Sequence, residues 1–193
     1  MKKFVLMVGV VALLILNVMT FTACDKFQGK TFEFQSVAVT YITEVDENGL
    51  VTKTETLSID DYIKNIMGIT DIDARWAKML ELQEQYGVRE NYYNFSNTNS
   101  VQDIFSKTDE VTGATISEVK SLTYKLEGDA IQITRSELDE NGCGFMYTER
   151  LEIVTSSQLQ KYFWGGVNSS SRFSVEDANN HAIYRLVVSY MSY

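Results

Sequence analysis

Leu122-Thr123-Tyr124-Lys125-Leu126-Glu127-Gly128-Asp129-Ala130-Ile131-Gln132-Ile133 is the stretch that decides the fold class. Leu122, Tyr124 and Leu126 share one face of an extended chain, and Lys125 and Glu127 the other. That period of two describes a half-buried β-strand. Gly128-Asp129 supplies a tight turn, and Ile131 and Ile133 resume the pattern on a returning strand. The strands extend to Thr115–Leu126 and Ala130–Arg135.

The same grammar continues on both sides. Upstream, Tyr92–Ser96 and Val101–Lys107 read as short strands about polar Asn97–Ser100, followed by a turn around Gly113. Downstream, Asp139-Glu140-Asn141-Gly142 turns into Gly144–Val154, and Gln158–Trp164 follows. After an irregular piece, Gly165–Asn180, with one helical turn from Ser174, the chain finishes on a strand, His181–Ser192. There Ala182, Tyr184, Leu186, Val188 and Tyr190 share a face. At the other end, Thr31–Tyr41 is a strand whose apolar phase switches near Ser36, which predicts a bulge. Asp46-Glu47-Asn48-Gly49 is a hairpin tip, with Leu50–Leu57 returning.

Two helices interrupt. Ser58 is an N-cap with Asp61 three residues on, before Tyr62, Ile63, Ile66 and Met67. Asp71 caps a second helix, Ile72–Tyr86, with Ile72, Trp76, Met79, Leu80 and Tyr86 as its apolar positions and Gly87 as a left-handed C-cap. The sum is a mainly β chain of eight or nine strands with an early two-helix insertion. We expect an antiparallel β-barrel, because the first and last strands are long and apolar enough to pair; a β-sandwich is the alternative.

The N-terminus carries a separate message. Met1-Lys2-Lys3 is a positive head, and Phe4–Met19 is apolar except for Gly9 and Asn17. This is the layout of a secretory signal, expected over residues 1–23. Its end, Thr22-Ala23-Cys24, resembles the lipobox of bacterial lipoproteins, although Phe21 stands where that family usually has Leu. The resemblance implies cleavage before Cys24 and attachment of diacylglycerol, with fatty-acyl chains of the palmitate kind, to its thiol. Residues 24–28 would then be the lipidated N-terminus and a short tether, and 29–193 one domain beside the membrane. Asp25 resembles the enteric inner-membrane retention signal, which other bacteria do not use. The stretch is also long enough, at roughly 20 residues, to be an uncleaved membrane helix. It can equally be an ordinary signal with Cys24 a bystander. All three readings place the rest of the chain outside the cytoplasm, in the cell envelope.

A second resemblance concerns the domain. Gly29-Lys30-Thr31-Phe32, with the strand, Gly-Asp turn and strand of 122–133, is similar to bacterial lipocalin-like domains. Those often open "Gly, any residue, Trp"; here the Trp is missing and Phe32 lies one position later. The resemblance implies an antiparallel barrel whose mouth takes a small apolar molecule.

Composition narrows the chemistry. The chain has 17 basic and 26 acidic side chains, a charge of −9. Without Lys2 and Lys3 the mature part carries −11. Such a surface argues against nucleic acid and leaves membrane attachment to the lipid at Cys24. With Cys24 lipidated, Cys143 can form no disulfide inside the chain and reads as a passive turn residue. The sole histidine, His181, reads as an exposed edge residue rather than a catalytic base, so no catalytic residues are assigned. One histidine and two cysteines do not make a zinc site, and the two Asp-Glu-Asn-Gly turns lack the ligand spacing of an EF-hand. No metal and no cofactor are expected.

The aromatic residues carry the functional expectation. Phe34, Tyr93, Phe105, Tyr124, Phe145, Tyr147, Trp164 and Tyr184 fall mostly on alternating faces. They can be core, or they can line a ligand cavity. Trp76 and Met79 would close one end of the barrel. The expected function is an envelope-anchored, non-enzymatic lipoprotein that binds a small apolar ligand. The alternative is a filled barrel serving as a structural or inhibitory interaction module, with the outer face of the last strand (Ile183, Val187, Met191) as its surface.

Overall fold

The computed structural model describes residues 26–108, 112–138, 142–164 and 171–193. Cys24 and the signal segment, and the turn residues 139–141, lie outside them. Nine strands form one antiparallel sheet: β1 Thr31–Val45, β2 Val51–Ser58, β3 Asn91–Asn97, β4 Ser100–Thr108, β5 Thr115–Glu127, β6 Ala130–Leu138, β7 Gly144–Thr155, β8 Gln158–Trp164 and β9 Ile183–Met191. From β3 to β9 each strand pairs with the next. β9 then pairs with β1 from Glu33 to Tyr41, and β1 with β3 over Thr31–Glu33, so eight strands close a barrel. The barrel alternative is therefore the one realised, and pairing of the first and last strands closes it.

Past Glu33 the edge of β1 that faced β3 passes to β2, which pairs with Ala38–Val45. The register of β1 against β9 slips between Phe34 and Ser36, at the expected bulge. The β1–β2 tip is built as its residues demand. Asp46 Oδ1 accepts from the Asn48 and Leu50 amides at 2.9 and 2.8 Å, and Gly49 takes φ +77. A Cβ on Gly49 would meet the Phe173 carbonyl at 2.8 Å, so glycine also lets that later segment dock.

The insertion between β2 and β3 holds two helices. The first, α1 (Ile59–Asp61), is one turn that continues as a π-turn over Tyr62–Ile66. The second, α2 (Ile72–Gln85), is capped by Asp71 Oδ1 on the Ala74 amide at 2.9 Å. A third, α3 (Val175–Asn179), has a Ser174–Asp177 capping box. Ile59, Tyr62, Ile63 and Leu82 enter the core. The α2 stripe departs from expectation. Met79 packs on the core, but Ile72, Trp76 and Leu80 are exposed, Trp76 by 60 %. One turn of helix and one face of α2 suffice to cover the insertion, which leaves the i, i+4, i+8 stripe facing solvent.

Inside, the strands are not uniform along their length. Toward the Thr31, Asn97 and Ala130 ends the interior is dry and full. Phe27, Phe32 and Phe95 meet there with ring centroids 5.7–5.8 Å apart, all fully buried. Phe27, expected in the tether, is thus part of the core, and the Gly29 amide donates to the Phe95 carbonyl at 2.7 Å. Aromatic pairs in this geometry add about 0.5–1.5 kcal/mol beyond their area. His181 also departs from expectation. It precedes β9 with φ +54, its carbonyl accepts from the Tyr62 hydroxyl at 2.9 Å, and its ring lies edge-on to Tyr41.

Candidate functional site

Four strands carry an ionisable residue in the middle of an inward apolar column. Asp103 lies between Val101 and Phe105 on β4, and Arg135 follows Ile131 and Ile133 on β6. Glu149 lies between Tyr147 and Leu151 on β7, and Lys161 between Leu159 and Phe163 on β8. The period of two turns each of these inward, and the meander sets β6, β7 and β8 side by side, with β4 one strand beyond, across β5.

They meet as a buried ladder. Arg135, 2 % exposed, donates through Nη2 to Asp103 Oδ2 at 2.8 Å and through Nε to Glu149 Oε2. Lys161 Nζ lies 3.1 Å from Glu149 Oε1, which also accepts from the Tyr93 hydroxyl. Arg89 Nη2 reaches Asp103 Oδ2 at 2.6 Å, and Asn91 Nδ2 reaches Asp103 Oδ1 at 2.5 Å. The Tyr190 hydroxyl donates to Asn91 Oδ1 at 2.9 Å. The barrel therefore has two interior layers, an aromatic plug and a charged shelf.

The shelf shifts its own acidities. Burial alone would raise the Glu149 carboxyl, but Lys161 and Arg135 beside it, with the Tyr93 hydroxyl, hold it below its ordinary value. Burial pushes the Lys161 ammonium down against the pull of Glu149. Burial and the neighbouring Tyr190 and carboxylates push the Tyr93 phenol well up, so it stays a donor.

Above the shelf the wall parts. β7 and β8 are paired only from Glu152 to Thr155 with Gln158 to Gln160. Beyond Glu152 and Gln160 no ladder joins them among the described residues. β7 stays paired with β6 as far as Gly144, and β8 with β9 as far as Trp164. A cavity of about 690 Å³ occupies this seam. Tyr147, Thr148, Glu149, Arg150 and Glu152 of β7 form one side, and Lys161, Tyr162, Phe163 and Trp164 of β8 the other. Arg89, Asn91, Arg135, Glu137 and Tyr190 also reach it.

The expected lining residues divide between these regions. Tyr147 and Trp164 line the cavity. Phe105 sits under the Arg89 guanidinium, 3.8 Å from ring centroid to Cζ. Tyr184 meets Trp164 edge-on at 5.2 Å, and exposed Phe145 stacks on Tyr147 at 5.9 Å. Phe34, Tyr93 and Tyr124 instead belong to the packed interior, where Tyr190 and Phe95 fill the space a ligand would need. That half of the barrel is narrow enough for rings on facing strands to touch. Of the outer face expected on β9, Val187 is buried and Ile183 and Met191 are half-buried.

Reading the aromatics missed the charged shelf. Its signal was present, one charged residue at the inward position of each of four strands, but only register shows that they meet. No family model, curated protein or solved structure matches this chain.

Proposed function

We propose that this is an envelope-anchored lipoprotein, non-enzymatic, whose lipocalin-like barrel binds a small ligand. The observation that carries the reading is the seam cavity. Its volume of about 690 Å³ falls within the roughly 300–1,000 Å³ of small-molecule sites, and five aromatic residues line it beside seven charged ones, which suits a ligand with both an apolar body and a polar end. The envelope address rests on the signal and the Thr22-Ala23-Cys24 motif. In the other half Phe27, Phe32 and Phe95 are fully buried and in contact, so the reading places the ligand at the seam.

Native mass spectrometry of residues 25–193, which contain every strand and all of the core, tests the ligand. The expected result is an added mass that is lost on denaturation. A bare protein mass, repeated after incubation with fatty acids and haem, would sink the reading. For the anchor, the chain recovered from the membrane fraction of a bacterial host should begin at Cys24 and carry an added diacylglycerol mass, and Cys24→Ala should lose that mass. A membrane-held unaltered chain that keeps residues 1–23 would favour the uncleaved-helix alternative.

The exposed Ile72–Trp76–Leu80 stripe favours a second reading, an interaction module that docks a protein partner through α2. A bare mass in the first experiment, together with loss of a copurifying protein in Trp76→Glu, would promote it.

A further inference from the structure

We infer that the ligand of the seam cavity carries a single anionic head, a carboxylate on an aromatic body, received by Arg135 and Lys161. The inference rests on the ligand-binding reading above and names the ligand's chemical class.

The first support is a charge count. On the shelf, three cations (Arg89, Arg135, Lys161) meet two carboxylates, Asp103 and Glu149. On the rim, Arg150 Nε is taken by Glu152 at 2.7 Å, and Glu137 shares Lys120 with Glu118, at 4.0 and 3.8 Å, so the excess of cations is confined to the shelf itself. An anion arriving at the shelf meets more donors than acceptors.

The second support is an unused donor. Arg135 spends Nε on Glu149 and Nη2 on Asp103, while its Nη1 is buried and has no hydrogen-bond partner among the described residues. Buried donors are rarely left open, and Arg135, which holds this one, lines the cavity. Lys161 lines the same cavity and has three donors, of which Glu149 Oε1 engages one at 3.1 Å. Two donors that flank Glu149 of β7, one from β6 and one from β8, suit the two oxygens of a carboxylate.

The third support is the wall. Tyr147, Tyr162, Phe163 and Trp164 present aromatic surface along the seam. Flat rings stack on such surface in offset or edge-on geometry, which favours an aromatic body.

The test compares three probes of one shape on residues 25–193: 2-naphthoate, 2-naphthylmethanol and 2-naphthylmethylamine. Titration calorimetry near neutral pH reads their affinities. The overall acidity of the protein favours the amine; the shelf favours the acid. The expected result is an acid bound about tenfold more tightly than the alcohol, with the amine weakest, as a charge-assisted contact in a desolvated site implies. Lys161→Gln should remove most of that acid-over-alcohol preference, read as the ratio of the two affinities in the variant. The ranking of the three probes on the unaltered protein decides the matter even if the variant folds poorly. Acid and alcohol bound equally would overturn the anion assignment and leave the ligand-binding reading standing. Binding of none of the three would overturn both.

Discussion

The two halves of the barrel interior obey the same alternation and reach opposite solutions. In the plug half, inward residues are Phe32, Phe95, Ile131 and Leu151, and rings and aliphatic chains fill the space with no polar atom to satisfy. In the shelf half, the next inward positions are Asp103, Arg135, Glu149 and Lys161. Burying these groups is expensive, and a well-packed apolar replacement of a buried ion pair is often as stable or more so. The plug therefore accounts for folding in a way the shelf does not. A buried network of ionisable groups at the edge of a cavity is instead what the ligand-binding proposal calls for.

This contrast can be broken first at Arg135. Arg135→Met leaves Asp103 and Glu149 as buried carboxylates short of a partner, and should destabilise by about 3–5 kcal/mol in urea unfolding. A loss under about 1 kcal/mol would show that the shelf is wet and loosely coupled. Phe27→Ala probes the other half. It removes a fully buried ring from the plug and should cost about 3 kcal/mol, with no change in naphthoate affinity measured on the folded fraction. Weakened binding there would mean that plug and shelf are not independent.

Glu149→Gln sharpens the contrast through pH. The folded carboxyl sits below its ordinary value of 4.5, so its contribution is present above that value and is lost as pH falls through the depressed one. The variant should therefore be less stable by about 2 kcal/mol at neutral pH, and the gap from the parent should close under acid. A gap independent of pH would mean that Glu149 packs rather than pairs. The smallest effect is expected outside both layers. Trp76→Ala, on the exposed stripe of α2, should change stability by no more than about 0.5 kcal/mol.

The turns and helix caps were largely legible in sequence. Gly128-Asp129 and Asp46–Gly49 announce their turns because a turn with positive φ narrows the choice of residue, and β6 follows its hairpin in the expected register. The helix caps at Ser58, Asp71 and Ser174 were equally plain, since capping is local chemistry. The shelf was not legible for a different reason. Asp103 and Arg135 are 2.8 Å apart because β4, β5 and β6 pair in one register, and that is a property of several strands together. Nor did Tyr92–Ser96, Gly144–Val154 or Gln158–Trp164, read singly, disclose that β7 and β8 part after Glu152 and Gln160. Phe34, Tyr93 and Tyr124 pack against other interior rings, which alternation does not foretell, because it says which way a side chain points, not whether its neighbour leaves room.

Closure of the ring has a kinetic side. Val37 pairs with Val188, so the contact that seals the barrel joins opposite ends of the chain. Loop-closure entropy makes such a contact late, and chains dominated by non-local β pairing fold in about milliseconds to seconds rather than microseconds. Until β9 is in place, β1 and β8 each present an open edge, and Tyr190 and Val188 are missing from the interior. A chain under synthesis thus stays unsealed until β9 arrives. Deletion of β9 should yield an aggregating polypeptide rather than a smaller barrel.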